Sequence, residues 1–248
     1  MPQKSNVKAS ARRAALKAKT ECAGRTVRAV QPCPKRKATA RAAKPKASAA
    51  SRVKCKPGEV PRKLAFGQVI KRKQYRKGGR KYKGFRTKAL HIARRLGISL
   101  NHLMTVMYFE SFHTFDPAED RSGAIGLIQF TPIVEKELHT ILEELRKMSP
   151  LRQLSYVEAF FRNRQDERNN DLKRIENLYL AALWPMAVNL RLDEPFTPRG
   201  KQADELYVPG TTYMTRRHIR KVMNGYLREG LRPENYTTYC VPAPPRRD

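Results

Sequence analysis

The sequence predicts a mainly α-helical domain with at most a small β-hairpin, preceded by a disordered basic arm. Three observations lead there. Charge is segregated: residues 1–90 hold 29 Lys+Arg against two acids, Glu21 and Glu59, whereas residues 91–248 hold 23 against 20. Apolar residues recur at helical spacing from about Thr87 onward. The first 60 or so residues are mostly Ala, Lys, Arg, Pro and Ser, with almost no aromatics; such a composition cannot bury enough apolar surface to offset chain entropy. The net charge of +30 therefore describes the arm, and the body is nearly neutral and long enough for one sizeable core.

Residues 1–62 read as the cationic arm, which ends among Pro45, Pro57 and Pro61. Residues 63–87 read as a basic linker in which Phe66, Tyr75, Tyr82 and Phe85 interleave with the charges, and Gly78-Gly79 suits a short hairpin turn. Residues 88–240 read as the domain and 241–248 as a loose tail. In KALHIARRLG, Ala89, Ile92 and Ala93 form an apolar face and Gly97 a stop. Ser99 fits an N-cap for a helix from Leu100 to about Ser111, with Leu103, Met104, Met107 and Tyr108 on one face and Glu110 in the last turn. DPAEDRSGAIGLIQFTP reads as a polar loop entering a tight turn. VEKELHTILEELRKM reads as one amphipathic helix. Ser149-Pro150 opens the next, with Leu154, Val157, Phe160 and Phe161 inward. RIENLYLAALWPMAV is apolar nearly all round, hence a central helix stopped or kinked at Pro185. A last helix, about Thr215 to Arg228, turns Ile219, Val222, Met223, Tyr226 and Leu227 inward.

Several function classes lose support. Of the four cysteines, Cys22, Cys33 and Cys55 lie in the arm and Cys240 near the end; none forms a CxxC pair, and neither a zinc site nor a disulfide framework is suggested. No cofactor or metal is implied by the five scattered histidines, His91, His102, His113, His139 and His218. No apolar run approaches a transmembrane length. The N-terminal stretch has charges without an apolar h-region, so it does not read as a secretory signal; its Arg-rich, acid-poor texture also suits an organellar transit peptide.

Four features stand in order: a helix ending in Glu110-Ser111, a polar loop, SGAIGLIQ from Ser122 to Gln129, and an apolar helix containing Tyr179. On these residues the chain resembles the soluble lytic transglycosylase and goose-type lysozyme group, especially its bacteriophage versions. The resemblance covers roughly residues 88–230. Glu110 and Gln129 are 19 positions apart, one loop residue longer than the family spacing, and NLYLAALWP stands where the family has Ala-Tyr-Asn-Ala-Gly. It implies a lysozyme-like α+β fold, and cleavage of the MurNAc-GlcNAc bond of peptidoglycan with Glu110 as catalytic residue. It also implies a substrate-binding set of Gln129, Gly123 and Gly126, with Ser111, which helps orient Glu110, and, by position, Tyr179 near the acid.

The residues agree with that chemistry on their own terms. Glycosidic cleavage needs an acid still protonated near neutral pH. Tyr108, Phe109, Phe112 and Phe115 surround Glu110 in sequence, with no Lys or Arg in the run, and apolar burial raises a carboxyl pKa. Gly123 and Gly126 suit a backbone that passes close to a ligand or adopts positive φ. Trp184 reads more as packing than as a sugar platform. The resemblance implies one glutamate that protonates the leaving oxygen, then deprotonates the muramyl C6 hydroxyl, giving a 1,6-anhydro sugar. Hydrolysis by water, assisted by Asp116 or Asp120, remains the alternative.

Residues 1–87 have the charge to bind a polyanion, whether envelope lipid, lipopolysaccharide or DNA, in a salt-dependent way. A non-enzymatic nucleic-acid-binding protein is the competing reading; the nearly neutral body speaks against it. The expected setting is a phage virion or host cell, with action at the bacterial wall.

Overall fold

The computed structural model describes residues 53–74, 79–121, 123–168, 171–198 and 203–243. In chain order the elements are β1 (Glu59–Leu64), α1 (Gly67–Gln74), α2 (Phe85–Arg95), α3 (Leu100–Glu110), β2 (Asp120–Arg121), β3 (Ala124–Ile125), α4 (Val134–Leu138), α5 (Leu142–Lys147), α6 (Pro150–Arg168), α7 (Ile175–Leu183), α8 (Arg216–Gly230) and β4 (Thr237–Pro242). Short 3₁₀ turns occupy Gly79–Tyr82, Pro185–Asn189 and Asp204–Leu206. The described chain is thus mainly α, with two small antiparallel sheets, β1–β4 and β2–β3. Among the described residues no helix is long and apolar enough to cross a membrane.

The core is built around α3 and α7. In α3 every side chain from Leu103 to Tyr108 is buried, and in α7 so is every one from Ile175 to Ala181. Ser99 caps α3 by accepting from the His102 N–H, and Thr215 caps α8 by accepting from the His218 N–H. The chain leaves α7 at Trp184, and Pro185 opens a 3₁₀ turn. The α6 stripe of Leu154, Val157, Phe160 and Phe161 is buried.

Four expectations need correction. First, the domain begins well before residue 88. Leu64, Phe66, Ile70, Tyr82 and Phe85 are core residues, so the segment 63–87 is not a linker. Phe66 stacks on Tyr108 with ring centroids 3.7 Å apart, and the Tyr82 hydroxyl donates to the Phe115 carbonyl at 3.0 Å. Asn101 ties this segment to α3, accepting from the Ala65 N–H and donating to the Lys63 carbonyl. These aromatics are therefore not free to stack on bases or lipid. Tyr75 and Gly78 lie outside the described residues, and Gly79 opens a 3₁₀ turn.

Second, residues 59–62 belong to β1 and residues 241–242 to β4, with Glu59 opposite Pro242 and Leu64 opposite Thr237. Residues 1–52 and 244–248 of the predicted arm and tail lie outside the described residues. Third, Cys55 and Cys240 form a disulfide beside this ladder, across 185 positions of sequence. A pair so far apart, with no CxxC spacing, leaves no local signal. Fourth, the predicted helix over 134–148 is two helices. His139 turns into the left-handed region at φ 49°, the Thr140 hydroxyl donates to the Glu144 carboxyl, and the Leu142 N–H to that of Glu135.

Candidate active site

Glu110 is the last residue of α3, and immediately after it the chain reverses sharply. Ser111 is wholly buried; its hydroxyl donates to the Met107 carbonyl at 2.6 Å and accepts from the Phe115 N–H at 2.8 Å. It thereby satisfies backbone groups that a helix end leaves without partners. Phe112, His113 and Phe115 all take positive φ, 49°, 67° and 53°. Three bulky residues in that region within four positions store backbone strain, and such strain concentrates where a side chain must be aimed.

The aromatic residues of the reversal form a connected shell. Tyr108 stacks on His113 at 4.6 Å as well as on Phe66. Phe109 meets Tyr179 edge-on at 5.3 Å and Tyr226 at 5.0 Å. Within this shell Glu110 keeps only part of its surface in solvent. Burial pushes its pKa from 4.5 up to about 8, against the opposing effect of a hydrogen bond from Tyr179. Tyr179 is 1% exposed, and burial, then the neighbouring Glu110, drives its phenol well above the usual range. It therefore stays a hydrogen-bond donor to the carboxyl at all ordinary pH. The result is a carboxylic acid that holds its proton at neutral pH and is fixed by one buried phenol.

The SGAIGLIQ stretch supplies β3 of the β2–β3 hairpin and then a compact turn; Ser122 lies outside the described residues. Ile125 and Phe130 exchange both backbone hydrogen bonds at 2.8 Å. Gly126 is required twice: its φ is 87°, and a Cβ would lie 2.4 Å from the Gln153 amide oxygen. Gln153, on α6, is itself completely buried. Its amide oxygen accepts from the Leu127 N–H, and its nitrogen donates to the Pro117 and Leu145 carbonyls. This one amide joins the loop after α3, the glycine turn and α5. Gly123 also has positive φ, 85°, but open space where a Cβ would stand.

The predicted residues therefore separate. Glu110 and Tyr179 are brought into direct contact. Ser111 is not at a surface; it shapes the helix end rather than touching a ligand. Gln129, half-buried at φ 51°, directs its amide nitrogen to the Glu119 and Gly126 carbonyls, so it braces its own loop. Asp120 pairs with Arg146, whose hydrogen bond holds the carboxyl below its usual range. An Asp116 carboxyl oxygen accepts from the Ala118 N–H at 3.0 Å. Trp184 packs partly buried against the core. Two open surface depressions, at residues 189–194 and 135–144, include none of the predicted site residues. Gln153 was missed, although a glutamine in line with the apolar stripe of Val157 and Phe160 is a readable signal of a buried polar hub.

Among the described residues no group of His, Cys, Asp and Glu is arranged to hold a metal ion. Comparison with protein-family models, with curated proteins and with solved structures gave no match.

Proposed function

We propose that this chain cleaves the glycan strand of peptidoglycan at the MurNAc-GlcNAc bond, with Glu110 as its single general acid and base. The observation that carries this reading is a carboxyl at a helix end, just before a strained reversal, whose pKa burial raises to about 8 and which a buried tyrosine holds. The order Glu-Ser, then GAIGLIQ, then an apolar helix with Tyr179 supplies the substrate class by resemblance. In the reaction the Glu110 proton passes to the bridging oxygen as the C1–O bond breaks. The muramyl C6 hydroxyl oxygen then bonds to C1 and returns its proton to the Glu110 carboxylate, leaving a 1,6-anhydro end. Tyr179 orients the carboxyl through both steps.

The alternative, attack by water, usually draws on a second carboxylate. Asp120 is engaged by Arg146, which speaks against it as that partner. The basic charge supports a polyanion partner. Beyond residues 1–52, exposed Arg62, Lys63, Lys71, Arg72, Lys81 and Lys83 put cations on the folded body itself. The setting that fits is the bacterial wall, reached from a phage virion or host cell.

Digestion of purified peptidoglycan, with products resolved by mass, tests the reading. Wild type yields anhydro-muropeptides and Glu110→Gln loses at least about 1000-fold in rate. Reducing ends in place of anhydro ends would favour the hydrolase. Equal rates in both proteins would remove Glu110 from the reaction.

A further inference from the structure

The aromatic shell continues past Glu110 in a direction that the proposed chemistry does not use. From Glu110 the contacts run to Tyr179, from Tyr179 to the edge of Phe109, and from Phe109 to Tyr226 on α8. His113, from the strained reversal, also lies against Tyr226 at 5.5 Å. The Tyr226 hydroxyl donates to a Glu205 carboxyl oxygen at 2.9 Å. Tyr179 is fully enclosed, but Tyr226 is only partly buried and Glu205 is exposed.

That combination is not what core packing requires. A fully enclosed tyrosine must find a partner for its hydroxyl inside the protein, whereas a half-buried phenol can also reach water, so burial alone does not demand this bond. What it does is fix the ring. Glu205 is itself firmly held: its carbonyl accepts from His218 Nε2 at 2.9 Å, and its neighbour Leu206 is 1% exposed. It sits in the 3₁₀ turn Asp204–Leu206, closed by the Leu206 N–H to the Ala203 carbonyl and the Tyr207 N–H to the Asp204 carbonyl. A hydrogen-bonded turn thus holds a carboxyl, and the carboxyl holds an aromatic ring one residue removed from the acid's own partner.

We propose that Tyr226 is a substrate-contacting wall of the Glu110 site, presenting its ring to a pyranose of the glycan strand next to the bond that is cleaved, and that Glu205 is the positioning residue that orients it. This rests on the glycan-cleaving reading of Glu110. Glu205 and Tyr226 also contribute, after burial and Glu110, to keeping the Tyr179 phenol protonated, which ties the two ends of the row electrostatically.

Steady-state cleavage of purified peptidoglycan, together with binding of tetra-N-acetylchitotetraose in the Glu110→Gln background, tests it. Tyr226→Phe and Glu205→Ala each raise KM about tenfold with kcat within about twofold, the loss expected for one hydrogen bond to a charged group. Glu205→Gln keeps an acceptor for the phenol and recovers most of that loss. Tyr226→Ala weakens chitotetraose binding about tenfold or more. Unchanged KM in Tyr226→Phe and Glu205→Ala overturns the proposal. So does an equal fall in kcat and thermal stability without a KM change, which marks a structural role. A wild type that binds chitotetraose through Tyr226 yet leaves peptidoglycan intact sinks the cleavage reading and keeps the wall; a wild type that does neither sinks both.

Discussion

Glu110 combines two influences that favour its neutral form. It lies at the C-terminal, negative end of α3, and burial strips water from its carboxyl. As a general acid it must be protonated, so kcat/KM falls as pH rises through about 8. The Tyr179 hydrogen bond lowers that pKa, so Tyr179→Phe moves the alkaline limb to higher pH while reducing the rate about 10- to 100-fold. A pH–rate profile of both proteins checks this. Stability gives an independent reading. The folded pKa lies above the unfolded value of 4.5, so below pH 4.5 both states are protonated and the group costs nothing. Between 4.5 and about 8 the unfolded chain gives up its proton first, and the fold loses stability over that window. Glu110→Gln removes this loss, so its melting temperature exceeds wild type by about 10 °C at pH 8, a gap that closes toward pH 4. A gap independent of pH would show that the carboxyl is not perturbed. Glu110 was legible in sequence because an acid in an aromatic run without Lys or Arg stands out, although its hydrogen-bond partner, Tyr179, lies far along the chain. Ser111 was not: a serine that caps a helix end and one that touches a ligand look alike in sequence.

The glycine turn and α6 depend on each other. Gly126→Ala forces a methyl onto the Gln153 amide and strains φ, and costs about 2–4 kcal/mol. Gln153→Leu leaves the Leu127 N–H and the Pro117 carbonyl without their partner and costs about 3 kcal/mol or more. Urea unfolding measures both, and a double mutant less destabilised than the sum of the singles confirms that they share one contact. A Gly126→Ala protein as stable as wild type contradicts this packing. Most helices were readable from period and caps, as Ser99 and Ser149-Pro150 illustrate. The break between α4 and α5 was overlooked although Thr140 and Glu143 stand at capping-box spacing within the apparent helix. The continuous apolar period across His139 hid it.

For the molecule as a whole, the boundary of the folded body decides which truncations are informative. Removing residues 1–52 leaves every described element in place. The truncated protein should melt within about 2 °C of the full chain and lose most of its salt-sensitive binding to DNA or anionic vesicles. Removing residues 1–66 also deletes β1, Cys55 and Phe66, and the protein should lose cooperative unfolding by calorimetry. A stable, cooperative 67–248 fragment would show that the β1–β4 ladder is dispensable. This boundary was not legible because Phe66 and Phe85 sit among lysines and arginines, and because β1 finds its partner more than 170 positions away. EVPRKL has no alternating pattern to announce a strand, and Pro61 is tolerated only because both strands are edges.

The same ladder makes the folded body nearly circular. With Glu59 beside Pro242 and a disulfide at Cys55–Cys240, its entry and exit points coincide. A body of that topology can be spliced into a surface loop of another protein with little disturbance to its host. It can also be permuted, its old ends joined by a short linker and new ones opened at the exposed turn at residues 131–133. The folded unit is in that sense a portable module.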